Sequence, residues 1–286
     1  MRIVTDAAAD LTAEDIATWN IHVVPLVIQF PEGEVLSNDI SADDFYDRLL
    51  KMSPDIPTTS QPAPAVFAEV YKQIAEEDKD ILSIHISSGL SGTFNAASLA
   101  TDQVKEANVT PIDTFMLSPG ERFQVLAAAM AVKAGWSVPR IQERLTEIRY
   151  ASEGIYTLET LEYLARGGRI GRVQAVAGSL LNIKPVIHVD TKDGKYSTVG
   201  RGRTMKKAMG AIVTYVKSRY GDKPVWITVA HGQAEDKAEE LKTMLHNELN
   251  VHRADLLRIS PVLGVHTGPS VVGAGVMPFE LIEDLL

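Results

Sequence analysis

From residue 2 to about residue 150, short apolar runs alternate with segments of helical period, and this rhythm restricts the possible folds more than any other feature of the chain. Arg2-Ile3-Val4-Thr5 reads as an opening strand, 12–19 as a helix capped by Thr12, and 21–28 as extended structure. Helices are predicted over 41–51, capped by Ser41, and over 63–77 after Pro62. Residues 80–86 read as a buried strand, followed by a helix over 93–107, a strand over 109–113 and a long helix over 121–134. Strands joined through helices pair in parallel, so this half is expected to be α/β with a mainly parallel sheet.

The second half has a different grammar. A helix over 138–150 leads to Ala151-Ser152-Glu153-Gly154, where a domain boundary is placed, giving an N-terminal α/β domain over 1–152 and a C-terminal α+β domain over 153–286. The latter reads as a strand over 154–157, two short helices within 158–181, and a hairpin over 185–200 turning at Lys192-Asp193-Gly194-Lys195. A helix over 204–220, a strand over 225–230, a helix over 234–249 and strands near 256–259 and 270–277 complete a mixed sheet.

With 286 residues and 45% apolar content the chain can bury a substantial core. It has no cysteine, which excludes disulfides and thiolate chemistry and fits a reducing, cytoplasmic setting. No export signal is visible at the N-terminus, and Lys133 interrupts the most apolar helical run, 125–132, before it could span a bilayer. A net charge of −9 argues against nucleic acid as a partner. The charge is uneven, however: ten Lys or Arg lie between Arg166 and Lys207 against Asp190 and Asp193, so this segment carries +8 and the remainder −17. Such a basic island suits an anionic ligand group or an acidic partner, and solvated surface charge is the plainer reading.

Small hydroxyl residues cluster twice, as Pro57-Thr58-Thr59-Ser60-Gln61-Pro62 and as Ser87-Ser88-Gly89-Leu90-Ser91-Gly92-Thr93, each expected at the mouth of a helix. Neutral hydroxyls and the free amides of a helix N-terminus can hold a carboxylate or phosphate. Gly92 allows close approach of backbone to a ligand, and simple helix capping by Ser91 or Thr93 is the competing explanation. Gly89-Leu90-Ser91-Gly92-Thr93 also approaches the nucleophile elbow G-x-S-x-G, but Thr93 stands where the second glycine belongs. An esterase built on Ser91, with His266 as its base, is therefore the alternative from another functional class, and an anion-sensing regulatory module is a third. No pair of histidines has metal-binding helical spacing, His85 reads as a packed core residue, and neither a Walker loop nor a G-x-G-x-x-G is present. Two further polar turns are predicted: Ala165-Arg166-Gly167-Gly168-Arg169, where an arginine can reach an anion, and Gly264-Val265-His266-Thr267-Gly268-Pro269-Ser270, where His266 can donate to a carboxylate.

Taken in order, Thr5-Asp6 with Asp10-Leu11, the two hydroxyl clusters, Asp113-Thr114 with Ser118 and Gly120, the segment 164–170, Leu180-Leu181-Asn182-Ile183-Lys184-Pro185 and His266-Thr267-Gly268-Pro269 closely resemble the DegV family of bacterial fatty-acid-binding proteins, lipid carriers of bacterial fatty acid kinase. The resemblance implies a two-domain protein that buries one long-chain fatty acid between its domains, without any cofactor or metal. It further implies a non-catalytic role, in which the carboxyl group is presented to a separate ATP-dependent kinase that makes an acyl-phosphate for phospholipid synthesis. Carried over, it makes Thr59, Ser91, Arg169 and His266 the carboxylate-binding set, with Ser60, Gly92, Thr93, Thr267 and Gly268 in support. Arg201 and Arg203 become contacts for the kinase, and membrane contact is at most transient. Ala7, Ser270 and the bulky Phe115-Met116-Leu117 with Pro119 depart from the family pattern and leave acyl length, unsaturation and loop shape open, as they do the kinase partner and the oligomeric state.

Overall fold

The computed structural model describes residues 1–174 and 183–286. The first sheet is parallel and four-stranded, in the order β2-β1-β6-β7, from β1 (Arg2–Asp6), β2 (Ile21–Val24), β6 (Asp80–His85) and β7 (Asn108–Asp113). Its crossovers are the helices expected from the pattern. Helix α1 (Ala13–Trp19) starts at a reciprocal box in which the Thr12 hydroxyl accepts the Asp15 amide and the Asp15 carboxylate accepts the Thr12 amide. Helix α2 (Ala42–Lys51) is capped by Ser41, α3 (Pro64–Ala75) begins with proline in its first turn, and α4 (Thr93–Thr101) packs against α3.

The second sheet is mixed and six-stranded, in the order β10-β9-β8-β13-β11-β12. Its strands are β8 (Glu153–Thr157), β9 (Lys184–Asp190), β10 (Lys195–Gly202), β11 (Pro224–His231), β12 (Asn250–Arg258) and β13 (Val272–Pro278), and only the β11–β12 pair is parallel. Helices α8 (Met205–Tyr220) and α9 (Glu235–Glu248) bury apolar stripes against it. Between the two sheets runs α5 (Pro119–Lys133), with 13 of its 15 residues buried. Its phenylalanine and small apolar side chains meet Ile3, Leu82 and Ile84 of the first sheet and Trp226 and Met277 of the second, so the helix shields apolar surface of both sheets at once. The sequence's most apolar helical run is thus a shared core element. None of the described helices is long and apolar enough to cross a membrane.

Several local expectations are corrected. The extended run 21–28 is two strands, because Pro25 cannot donate to a ladder; the chain leaves the parallel sheet there and enters a small antiparallel sheet, β4-β3-β5. Here β3 (Val27–Phe30) pairs with β4 (Gly33–Leu36) on one side and β5 (Thr58–Ser60) on the other. Thr59 therefore sits on a strand, opposite Ile28, and not at the mouth of a helix. The helix predicted over 93–107 ends at Thr101. Of the two short helices expected within 158–181, the structure has α7 (Glu162–Arg166) and a 3-10 turn at Gly171–Val173; the remainder, with Leu180-Leu181-Asn182, lies outside the described residues.

The largest correction concerns the polar turn predicted over 264–270. Residues Pro261–Thr267 form a helix, α10, with Ser260 at its N-cap, Pro261 in its first turn and Gly268 ending it at φ +72°. Although distant in sequence, α10 packs on α2, α7, β3 and β5. Gly264 permits this approach, because a Cβ there would lie 2.7 Å from Phe45 Cε1 and 2.8 Å from the Tyr46 hydroxyl. The last helix is α6 (Val138–Ala151) before the second sheet, and a single turn, α11 (Glu280–Glu283), follows it.

Candidate ligand-binding site

Each polar residue of the site is held by a different element. β5 carries Thr59, the loop after β6 carries Ser91, the turn after α7 carries Arg169, and the last turn of α10 carries His266. These four side chains converge on one narrow cavity, together with Thr267 and Tyr196. Its other walls are apolar: Leu26, Ile86, Leu90, Leu117, Val262 and Leu263. A second, tighter chamber shares Leu117, Tyr196, Leu263 and Thr267 with the first and runs on past Ser118, Tyr156 and Ile187. Both halves of the chain line both chambers.

At the polar end, His266 Nε2 lies 2.7 Å from Thr59 Oγ1. Burial, with the Arg169 guanidinium beside it, holds the imidazole down at about 4, so the ring is neutral at pH 7. A neutral ring has one N–H. If Nε2 carries it and donates to Thr59, the threonine hydroxyl is left free to donate into the cavity. The other ring nitrogen, Nδ1, is buried without a partner among the described residues and faces Gly167, where a Cβ would lie only 2.1 Å from it. Glycine at 167 is therefore a requirement of the imidazole's position.

Arg169 links the two halves of the chain. Its Nη1 donates to Gly167 O at 2.6 Å and its Nε to Leu90 O at 3.4 Å, and its own amide bonds back to Leu164 O at 2.9 Å to close the turn after α7. Ser91 Oγ lies 2.8 Å from Thr93 Oγ1 and accepts the Thr93 amide at 3.3 Å. The helix cap proper is Gly92, with no side-chain cap bond. The loop is braced from the second half, since Ser87 donates its hydroxyl to Gly194 O at 2.8 Å, in the turn of the β9–β10 hairpin.

The remaining sequence-predicted residues are more scattered. Ser60 accepts from Gln29 Nε2 at 3.3 Å and does not line the cavity. Gly92 abuts the Gln61 side chain, and Thr93 is fully buried. Thr267 lines both chambers and donates its hydroxyl back to Leu263 O at 3.1 Å, while Gly268 lies against the Tyr163 ring. Arg201 on β10 and Arg203 just beyond it are exposed and outside the cavity lining. His85 is a core residue, with Nδ1 at 2.9 Å from Asp6 and Nε2 at 2.6 Å from Ser83. Among the described residues no cluster of three or more His, Cys, Asp or Glu could hold a metal ion.

Sequence reasoning missed Tyr156 and Tyr196 as wall residues and the placement of Asp10. Asp10 is buried, takes the Ser118 hydroxyl and accepts the Ser260 amide at 3.0 Å, which ties the start of α10 to the first half of the chain. Ser91 has no histidine within hydrogen-bond distance among the described residues, since His266 is engaged by Thr59.

Residues 1–278 match the profile of a family described as the uncharacterised DegV family. A DegV domain-containing protein of Clostridium perfringens is 34% identical over 276 residues, covering 96% of this chain and 97% of its own. Among solved structures, a fatty-acid-binding DegV family protein from Thermus thermophilus superposes with a TM-score of 0.91 at 33% identity, covering 98% of this chain and 100% of its own. A stearic-acid-binding protein from Eubacterium ventriosum gives a TM-score of 0.87 at 27% identity, covering 97% and 98%.

Proposed function

Since the chain belongs to the DegV family, we propose that it binds one long-chain fatty acid between two domains, 1–152 and 153–286, and presents the carboxylate to a separate fatty acid kinase. The observation that carries this reading is the convergence of Thr59, Ser91, Arg169 and His266 on one end of an otherwise apolar cavity. Each buried methylene contributes about 0.8 kcal/mol, so some fifteen of them offer roughly 12 kcal/mol before the ordering costs of binding are subtracted. The carboxylate needs partners, because an unpaired buried charge would cancel much of that gain. Two hydroxyls with a guanidinium behind them meet the need.

The same geometry argues against an esterase. A serine nucleophile needs a base within reach and an acid to orient that base. Here the imidazole holds Thr59, and its far nitrogen has no partner among the described residues. The carrier reading therefore assigns no catalytic residue, cofactor or metal, and leaves phosphoryl transfer to the partner. Arg201 and Arg203, exposed on the basic segment, are the contacts it assigns to that kinase, with a cytoplasmic setting and no more than transient membrane contact.

Mass spectrometry of an organic extract of the purified protein tests the reading directly. It should yield one long-chain fatty acid per chain, and Thr59→Val with Ser91→Ala should reduce the amount retained at least tenfold. An extract without fatty acid, together with failure of the delipidated protein to take one up, would overturn it.

A further inference from the structure

The inner chamber differs from a plain hydrocarbon sleeve. Tyr156 forms part of its wall, and the Tyr156 hydroxyl is buried with no hydrogen-bond partner among the described residues. The ring cannot swing away to find one: a Cβ at Gly273 on the neighbouring strand would lie 2.3 Å from Tyr156 Cδ1, which shows how closely the backbone is pressed against it. Ser118, on the same wall, gives its hydroxyl to Asp10, and Thr267 gives its own to Leu263 O. A hydrocarbon tail filling this chamber would seal the Tyr156 hydroxyl against methylene groups, leaving a strong donor unsatisfied.

The surroundings also define the kind of group that fits. Burial above all, then Tyr196 and the Asp10 carboxyl, pushes the Tyr156 phenol well above the ordinary range against the opposing effect of the nearby Ser118 hydroxyl, whose own proton goes to Asp10, so the phenol stays an O–H donor. No Lys, Arg or His lines the chamber to balance a second anion, and the Asp10 carboxyl stands directly behind Ser118 of its wall. The complement is a neutral oxygen that accepts a hydrogen bond and can donate one in return, such as a hydroxyl.

Resting on the carrier reading above, we propose that the inner chamber recognises an oxygen substituent on the acyl chain, so that the preferred ligand class is a hydroxylated long-chain fatty acid held by the Tyr156 hydroxyl. Its carboxylate lies at the Arg169 end and its hydroxyl, some way along the chain, in the inner chamber.

The test uses the full-length protein, delipidated, in competition binding between stearic acid and a series of hydroxystearic acids that differ only in hydroxyl position. One positional isomer should bind at least tenfold more tightly than stearic acid, and Tyr156→Phe should bring the ratio between the two close to one. The wild-type series decides the matter even if the variant folds poorly, and a melting curve checks the variant. If stearic acid binds and no isomer exceeds it, or if Tyr156→Phe keeps the preference, the inference is wrong while the carrier reading stands. If no acid of either kind binds, the carrier reading fails and takes this inference with it.

Discussion

Replacing Asp10 by asparagine should remove a pH dependence of stability that the wild-type protein carries. Burial raises the Asp10 carboxyl from 3.8 to about 6, against the opposing effect of its bonds to Ser118 and Ser260. A carboxyl whose folded value is raised holds its proton more tightly folded than unfolded. Its contribution is therefore fully present below pH 3.8 and is lost as pH rises through 6. At about 1.4 kcal/mol per unit, ionised Asp10 costs roughly 3 kcal/mol at pH 7, of which about 2 kcal/mol accrues between pH 4.5 and 7. His266 acts with the opposite sign: its imidazole, depressed from 6.5 to about 4, contributes stability above pH 6.5 that is lost as pH falls. The wild-type curve alone can thus look flat. The difference between wild type and Asp10→Asn isolates the carboxyl, since asparagine tolerates the φ of +50° at this position and can still accept the Ser260 amide. Urea unfolding at several pH values should show the variant gaining about 2 kcal/mol relative to wild type from pH 4.5 to 7, with a plateau beyond. A difference that is the same at both ends of that range would refute the argument.

Gly167→Ala should displace the His266 ring, since the new Cβ would lie 2.1 Å from Nδ1 and 3.1 Å from Tyr163 O; a stability loss of about 1–3 kcal/mol in denaturant melts should accompany a severalfold loss of retained fatty acid. Arg122→Met should cost about 3–5 kcal/mol by the same assay, because the buried Asp15 carboxylate, now 2.8 Å from the guanidinium, would lose its counter-charge, while the half-buried Asp255 keeps Arg253 at 3.7 Å. Arg201→Ala combined with Arg203→Ala should lower acyl-phosphate formation by the partner kinase while fatty-acid retention, read by mass spectrometry, stays near wild type. Equal turnover in that double variant would remove the assignment.

How much of this was legible in the chain depends on how local each signal is. The alternation of strands and helices, the Thr12 and Ser41 caps and the hairpin turning near Lys192 are written within a few residues, and all three are present in the structure. The small sheet was missed because β5 is only three residues long and reads as a hydroxyl-rich loop. Helix α10 was missed because glycine at 264 and the following His-Thr-Gly-Pro run carry turn chemistry, which packing against Phe45 and Tyr46 overrides. The pairing of Thr59 with His266 spans 207 residues, so no local pattern encodes it; only the ordered set of family motifs pointed to both. That the Tyr156 hydroxyl lacks a partner among the described residues is invisible to any sequence reading, since an aromatic residue in a buried strand looks ordinary until its surroundings are known.

Those surroundings also give the cavity a direction. The guanidinium of Arg169 stands at one end, beside an imidazole too destabilised as a cation to add a second charge. Behind Ser118 of the inner chamber lies Asp10, and next to it in the core the fully buried Glu121 is pushed well above its ordinary value, toward the neutral form, by burial and by the neighbouring Asp6 and Asp10. A carboxylate entering inner end first would meet no Lys, Arg or His in the chamber lining and would approach the Asp10 carboxyl behind Ser118, while at the Arg169 end it meets donors and positive charge. The apolar walls are indifferent to which way a chain lies. On the carrier reading, orientation must then come from this electrostatic asymmetry, which favours the carboxyl beside Thr59, Ser91 and Arg169.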